Sequence, residues 1–213
     1  MLRTILASAF FAALSYASAH ALTHDFQVWT AEGARRLEVA LNPVTPPAVE
    51  LFAPWAPSQR LDHILADGHA ATIVDFIYTR CTTVCLSLGN TFQQLQAAIV
   101  SANPSAVNPP VRLLSISFDP IHDDPQALGQ YAARLHADPR VWRFAGPRNA
   151  HDLAQLLKPY EVVVIPDGLG GFEHNAALLV VDPTGRLVRI FDYAEADLAL
   201  AYARSIAVES NAR

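Results

Sequence analysis

Two cysteines, Cys81 and Cys85, are the only thiols in the chain, and they stand in the segment TRCTTVC at residues 79–85. A β-branched and aromatic run, ATIVDFIY, precedes them, and an apolar stripe with helical spacing follows. A thiol at such a strand-to-helix junction is activated, because the helix dipole and the unpaired N–H groups stabilise a thiolate. If both cysteines lie on the first helical turn, their Cα atoms are about 6 Å apart. The pair can therefore close a disulfide or share a metal ion.

Three roles fit this C-x-x-x-C pair. A purely structural disulfide would close a very short loop and would stabilise the fold by only about 2 kcal/mol. A redox-active pair, in which Cys81 and Cys85 undergo thiol–disulfide exchange with a partner, is the stronger alternative to a metal site, although the familiar exchangers use C-x-x-C. A peroxiredoxin is a weaker possibility, because Thr79 stands two positions before Cys81 rather than three. A third ligand from elsewhere in the chain would favour a metal site over all three.

Histidine is the residue type that best supplies such a third ligand, and the chain has eight. His174 differs from the rest, because it stands between the glycine-rich segment PDGLGG and an apolar run. We expect that segment, residues 166–171, to be a mobile loop whose movement presents the His174 imidazole to the start of the helix. The other histidines are expected at the surface, in loops or in the N-terminal tail; they are His20, His24, His63, His69, His122, His136 and His151.

The elements that must position these side chains alternate between strand and helix. Residues 71–78 and 111–118 are predicted buried strands, and a helix over 84–102 is predicted between them. Its apolar stripe consists of Leu88, Phe92, Leu95 and Ile99. Asp123 or Asp124 caps a second helix that has Pro125 in its first turn.

The C-terminal part of the chain continues this pattern. A strand over 141–144 and a helix over 149–157 are predicted, then a β-hairpin formed by 176–181 and 187–191 around the turn DPTG, and a last helix over 195–208. This element order predicts an α/β domain with a thioredoxin-like fold, in which helices flank a central mixed β-sheet. We assign the domain to residues 61–213.

Composition excludes several functional classes. Hydrophobic residues make up 52% of the chain and charged residues 16%, which excludes disorder over its whole length. The net charge is −5 and basic runs are absent from the sequence, so we expect no nucleic-acid partner. Lys158 is the only lysine and no phosphate-binding glycine motif surrounds it, which argues against nucleotide chemistry.

The N-terminus resembles an export signal. Residues 1–21 combine Arg3, an apolar stretch and small residues that suit a signal-peptidase site, and we read them as a signal peptide, with an uncleaved membrane anchor as the alternative. Residues 22–60 contain five prolines and no sustained period, which predicts an irregular N-terminal extension. We therefore expect a protein exported to the periplasm or to the periplasmic face of the inner membrane, where unprotected thiols oxidise.

Three separated motifs together resemble the Sco/SenC family of copper-binding, thioredoxin-like proteins. They are TRCxxVC at 79–85, SFDPxxDxP at 117–125, and His174 followed by VDPxG at 181–185. The resemblance covers about residues 70–205. The chain departs from the family pattern at Leu86, where the family usually has proline, and at Asn175, where it usually has serine or threonine.

The resemblance implies a metallochaperone. It implies that Cys81, Cys85 and His174 bind one copper ion, as Cu(I) or Cu(II), and that the partners are a copper donor protein and cytochrome c oxidase subunit II or another copper-site target. The task would be assembly of the dinuclear copper (CuA) site. Asp119 matches a family aspartate near the site, and bracing of the loop before Pro120 is an equally good role for it. The alternative is a thiol-disulfide oxidoreductase that keeps target cysteines reduced or senses redox state.

Overall fold

The computed structural model describes residues 1–23, 25–26, 28–81, 84–102 and 104–211, and the side chains of residues 84–87 and 209–211 are not among those described. The described chain forms two compact units, Met1–Glu38 and Val39–Arg213. The helices are α1 (Leu2–Leu22), α2 (Ala31–Leu41), α3 (Leu61–Leu65), α4 (Val84–Ala102), α5 (Pro125–Arg134), α6 (Ala150–Leu157) and α7 (Ala196–Asn211). The strands are β1 (Glu50–Ala53), β2 (Ala56–Arg60), β3 (Ala71–Ile77), β4 (Val111–Ser117), β5 (Trp142–Pro147), β6 (Val164–Pro166), β7 (Phe172–His174), β8 (Leu178–Val181) and β9 (Leu187–Phe191).

A seven-stranded mixed sheet with the order β2-β1-β5-β4-β3-β8-β9 organises the larger unit. The three central strands, β3, β4 and β5, run parallel, and the pairs at both edges run antiparallel. All seven residues of β3 are buried, because a central strand covered on both faces needs a nearly continuous apolar run. The sheet therefore confirms the predicted α/β class.

Each face of the sheet packs against its own set of helices. The face that contacts α4, α5 and α7 buries the predicted apolar stripe of α4, whose four side chains are at most 2% exposed. The other face packs against α3 and α6 and also contains Cys81, Tyr78 and Phe118. The carboxyl ends of β3 and β4 thus place the first cysteine and Phe118 in the same hydrophobic cluster.

The structure differs from the sequence prediction mainly before residue 61. The segment predicted to be irregular contains α2 as well as β1 and β2, which extend the sheet beyond β5. These strands are only four and five residues long, and Pro54 and Pro57 lie at and beside their turn. Strands this short do not produce a recognisable alternation of apolar and polar residues, so the sheet itself has to select them.

Helix α1 is 21 residues long, has a mean hydropathy of 1.5 and buries none of its residues. By length and composition it can cross a membrane, as the membrane-anchor alternative requires. It is the only such helix within the described part of the chain. A signal peptide at the N-terminus passes the same test.

Asp75 is a charged residue in the middle of β3, and it is only 1% exposed. It forms a hydrogen bond with Ser115 on β4, and the Trp142 indole N–H donates to the same serine hydroxyl at 2.9 Å. Among the described residues, the Asp75 Oδ1 atom has no hydrogen-bond partner. Burial raises the pKa of Asp75 to about 7, although the bond with Ser115 opposes this.

This buried carboxyl predicts a pH-dependent stability. Between about pH 4 and pH 7 the folded protein keeps a proton that the unfolded chain releases, so its free energy of unfolding falls as the pH rises through this window. In Asp75→Asn we expect that loss to disappear, with a relative gain on the order of 4 kcal/mol above pH 7. Urea unfolding of both proteins at several pH values measures it. If the free energy of unfolding depended on pH in the same way for both proteins, the prediction would be contradicted.

Candidate functional site

Cys81 lies four residues after the end of β3, and Cys85 is the second residue of α4. The Cys81 side chain is 8% exposed, and its backbone N–H donates to the Tyr78 carbonyl at 3.3 Å. Cys81 precedes the helix, so the two cysteines do not share its first turn as the sequence analysis had considered. The side chain of Cys85 lies outside the described residues. The start of α4 places that residue where the helix dipole favours a thiolate.

Asp123 holds the backbone that leads into Cys81. It is fully buried, and its carboxylate accepts hydrogen bonds from the Thr79 N–H at 3.0 Å, the Thr79 hydroxyl at 2.6 Å and the Ser117 hydroxyl at 2.6 Å. One side chain therefore joins the ends of β3 and β4 to the segment before α5. The helix cap itself is Asp124, whose side chain accepts from the Ala127 N–H at 2.7 Å.

Asp119 forms a second polar cluster at the same edge. Its side chain is 3% exposed and accepts from Arg80 at 3.1 Å, while His122 Nδ1 lies 2.9 Å from both of its carboxylate oxygens. Asp119 also receives a backbone brace, because its N–H donates to the Ser117 hydroxyl at 3.0 Å. The structure thus supports the bracing role for Asp119. The Asp119 carboxylate also orients Arg80, the residue before Cys81.

His174 reaches this edge from a separate two-stranded sheet. It is the last residue of β7, which pairs antiparallel with β6. Its ring lies 5.0 Å from the Phe118 ring, between centroids. Phe172, two residues earlier, packs against both Phe118 and Tyr78 at 5.7 and 5.2 Å. Since Tyr78 and Phe118 lie in the hydrophobic cluster that contains Cys81, one aromatic group links His174 to the first cysteine.

The imidazole of His174 has unusual surroundings. Both ring nitrogens are buried, and neither has a hydrogen-bond partner within the described residues. Burial lowers the pKa of His174, so the ring is neutral at physiological pH and keeps a lone pair on one nitrogen. A buried nitrogen without a partner costs free energy, which a bound metal ion would recover.

The glycine-rich segment lies in the turn of a short antiparallel hairpin formed by β6 and β7. Asp167 closes its turn, because the carboxylate accepts from the N–H groups of Leu169 and Gly171 at 2.7 and 2.9 Å. The Phe172 N–H donates to the Tyr78 hydroxyl at 3.3 Å. A Cβ atom at Gly171 would lie 3.0 Å from that hydroxyl and 2.5 Å from an Asp167 oxygen, so a larger residue would displace the Asp167 carboxylate that closes the turn. Mobility of residues 166–171 stays a prediction.

The structure therefore brings Cys81 and His174 to one edge of the sheet, together with residues that the sequence analysis did not assign to a site. From sequence, Tyr78 is predicted only as a strand residue and His122 only as a loop residue, and no pattern singles out Phe172. Within the described side chains, no three His, Cys, Asp or Glu residues converge as a complete metal site. The side chain of Cys85, one of the three expected ligands, is outside that set.

Comparison with known proteins identifies the family. The model of the SCO1/SenC family matches residues 66–207, which is well over half of the chain. This protein belongs to the SCO1/SenC family.

Among its relatives, an SCO1 protein homolog from Bacillus subtilis (strain 168) is 27% identical over 125 residues. The match covers 58% of this chain and 62% of that protein, so it spans less than two thirds of the relative's length.

Solved structures show the same fold. ScoI from Bradyrhizobium japonicum, solved with copper bound, has a TM-score of 0.62 at 22% identity, with 76% of this chain and 99% of that chain covered. BsSco, described as a member of the Sco family of cytochrome c oxidase assembly proteins with a disulfide switch, has a TM-score of 0.64 at 21% identity, with 78% and 96% covered. The predicted thioredoxin-like fold is thereby confirmed.

Proposed function

We propose that this protein is an exported copper carrier, which binds one copper ion through Cys81, Cys85 and His174 and assists assembly of the CuA site of cytochrome c oxidase. The observation that carries the proposal is the His174 ring, whose two buried nitrogens have no hydrogen-bond partner among the described residues and which lies beside the aromatic group around Cys81. Copper is the cargo of this protein. Family membership and the copper-bound relative support the assignment.

The chemistry of the donor set suits this cargo. Two thiolates and one imidazole make a soft ligand set of low coordination number, which favours Cu(I), and an added ligand would accommodate Cu(II). Zinc normally takes a fourth protein or water ligand. The apolar rings of Tyr78, Phe118 and Phe172 would limit the access of water to the metal. Release would begin at His174, the ligand on the separate β6–β7 hairpin.

The location follows from the same chemistry. An exported protein with two thiols at a helix start either keeps them occupied by a metal or cycles them through a disulfide. Helix α1 would direct export, and it would either be removed as a signal peptide or be retained as an anchor at the periplasmic face of the membrane. The partners would be a copper donor protein and cytochrome c oxidase subunit II or another copper-site target.

Copper binding by a histidine variant tests the proposal. Reduced full-length protein in detergent should bind one copper per chain. His174→Ala should weaken binding on the order of 100-fold or more, since even the loss of outer-shell partners costs about 10- to 100-fold. Competition with a chelator of known affinity measures this. His151→Ala, an exposed histidine on α6, is the control and should bind as the unchanged protein does. Equal affinity in the two variants would reject His174 as a ligand.

The second candidate is thiol-disulfide exchange. In that reaction Cys81 and Cys85 would be oxidised to a disulfide while a disulfide of the target is reduced to two thiols, and both electrons pass between the two sulfur pairs. The position of Cys81 before α4 and of Cys85 in its first turn, and the disulfide switch described for BsSco, favour it. His174→Ala separates the two functions. If the protein acts only by thiol–disulfide exchange, His174→Ala should restore full function in cells that lack the native protein. If it acts as a copper carrier, the variant should fail to restore function.

Hydrogen exchange should reveal the response of the hairpin to copper. We expect slower exchange of the amides of residues 166–175 in the copper-loaded protein, because ligation of His174 fixes β7 and with it the glycine-containing turn. The β8–β9 hairpin is the internal control, since its strands already lie in the main sheet. Equal exchange at 166–175 with and without copper would show that His174 is fixed in advance and would remove the release mechanism proposed above.

A further inference from the structure

A second candidate site lies away from the cysteines. It is a cleft of about 440 Å³ between the β1–β2 turn, α5 and the start of β5. Pro54 and Trp55 line one side, small residues of α5 such as Gly129 line another, and Trp142 lies on the β5 side. Because β3, β4 and β5 are parallel, this cleft lies toward the amino ends of the strands, whereas Cys81 follows a carboxyl end. It is therefore separate from the proposed copper site.

The cleft is apolar apart from one cation. Arg143 lines it, and the guanidinium carbon lies 5.6 Å from the centre of the Trp55 ring. Its Nε–H donates to the Pro139 carbonyl at 3.2 Å. Across the described residues, no carboxylate lies within ion-pair distance of Arg143; the nearby Asp67 pairs with Arg112 instead.

Local charges around Arg143 do not balance. Arg112 and Arg143 provide two positive charges, and Asp67 provides the one negative charge that acts on Arg143. Burial and the charge of Arg112 lower the pKa of Arg143, so the environment penalises its positive charge. An anion that entered the cleft would remove this penalty. A guanidinium also offers two parallel N–H donors that match a carboxylate.

We propose that this cleft binds a small aromatic monocarboxylate, with its carboxylate on Arg143 and its ring against the apolar wall. The volume lies within the range of small-molecule sites, and a few polar groups in an apolar cleft are typical of them. Trp55 is partly exposed beside the Arg143 guanidinium and provides a flat surface that favours a ring over an aliphatic tail. Trp142 and Phe144 are at most 2% exposed and close the inner end of the cleft. The proposal is independent of copper binding.

Calorimetry with a matched pair of probes tests this site. We would titrate the full-length protein in nonionic detergent with naphthalene-1-acetate and with naphthalene-1-acetamide, which has the same shape without the charge. The carboxylate should bind saturably at one site, and the amide should bind at least about tenfold more weakly because it cannot pair with the guanidinium. Absence of saturable binding, or equal binding of the two probes, would overturn the proposal.

Two variants from opposite walls complete the test. Arg143→Gln should weaken carboxylate binding at least about tenfold and leave amide binding nearly unchanged. Gly129→Leu should weaken both probes, because a Cβ at Gly129 meets only Pro54, at 3.7 Å, and a longer side chain extends toward the cleft. Both variants should bind copper normally, which also verifies that they fold. Unchanged carboxylate binding in Arg143→Gln would assign the binding to the detergent or to another surface.

Discussion

Copper binding should disappear when Cys81 and Cys85 are both replaced by serine. The hydroxyl group of serine is a hard, weakly acidic donor that does not replace a thiolate as a ligand for Cu(I), so one imidazole would remain. We expect occupancy to fall from about one copper per chain to less than a tenth. Metal analysis after gel filtration of the reduced, copper-treated full-length protein measures it. The unchanged protein should also show intense visible thiolate-to-Cu(II) bands that the double variant lacks.

The single variants refine this expectation. Cys81 is buried beside Tyr78, and Cys85 is at the start of α4, so each should contribute one sulfur ligand. Cys81→Ser and Cys85→Ser should each lose the visible bands or shift them strongly. Thermal unfolding provides the control, because the serine variants should unfold near the temperature of the reduced, metal-free protein. If the double variant retains half a copper per chain or more, the copper ligands lie elsewhere and the proposal fails.

Removal of the Asp123 carboxylate should be the most destabilising single change near the site. In Asp123→Ala the Thr79 N–H, the Thr79 hydroxyl and the Ser117 hydroxyl lose a buried acceptor. Each unsatisfied buried donor costs about 1 to 3 kcal/mol, and partial relaxation leaves an expected loss of at least about 3 kcal/mol. Copper affinity should fall as well, since Thr79 sets the path of the backbone into Cys81. Urea unfolding and chelator competition measure the two effects.

The neighbouring Asp124→Ala variant is the matched control. Asp124 is exposed and caps α5 through the Ala127 N–H, so its removal should cost only about 1 kcal/mol and leave copper affinity unchanged. Asp123→Asn adds a further comparison, because its amide keeps one acceptor oxygen and should recover part of the stability. If Asp123→Ala and Asp124→Ala were equally stable, the three hydrogen bonds would not hold the two strand ends together.

Sequence alone determined the elements whose signals are local. The apolar stripe of α4 repeats every three or four residues, and β3 and β4 are short, mainly apolar segments that contain β-branched residues, so both signals appear within a few residues of chain. The turn DPTG likewise predicted the β8–β9 hairpin, and Asp182 does hold that turn through hydrogen bonds to Thr184 and Arg186. Cys81 and Cys85 were identified in the same way, because residue type and spacing define their chemistry.

Sequence patterns do not reveal elements whose signals are short or whose partners are distant in the chain. Strands β1 and β2 were missed, since each is stabilised by pairing with the sheet rather than by its own pattern. His174 was selected by its position after a glycine-rich segment and by family resemblance. The residues that surround His174 cannot be identified from sequence, because they come from distant parts of the chain. The Phe172 N–H, for example, donates to the hydroxyl of Tyr78, which lies 94 positions earlier.

Only the tertiary structure decided the surroundings of the reactive groups. It showed that Cys81 precedes α4, that Asp119 braces Arg80 and His122, and that both nitrogens of His174 are buried without a partner among the described residues. It also placed Arg143 in an apolar cleft without a described carboxylate partner. Burial and hydrogen bonding depend on side chains that meet when strands from distant parts of the chain align. No local pattern contains that information, because each residue type is compatible with many different neighbours.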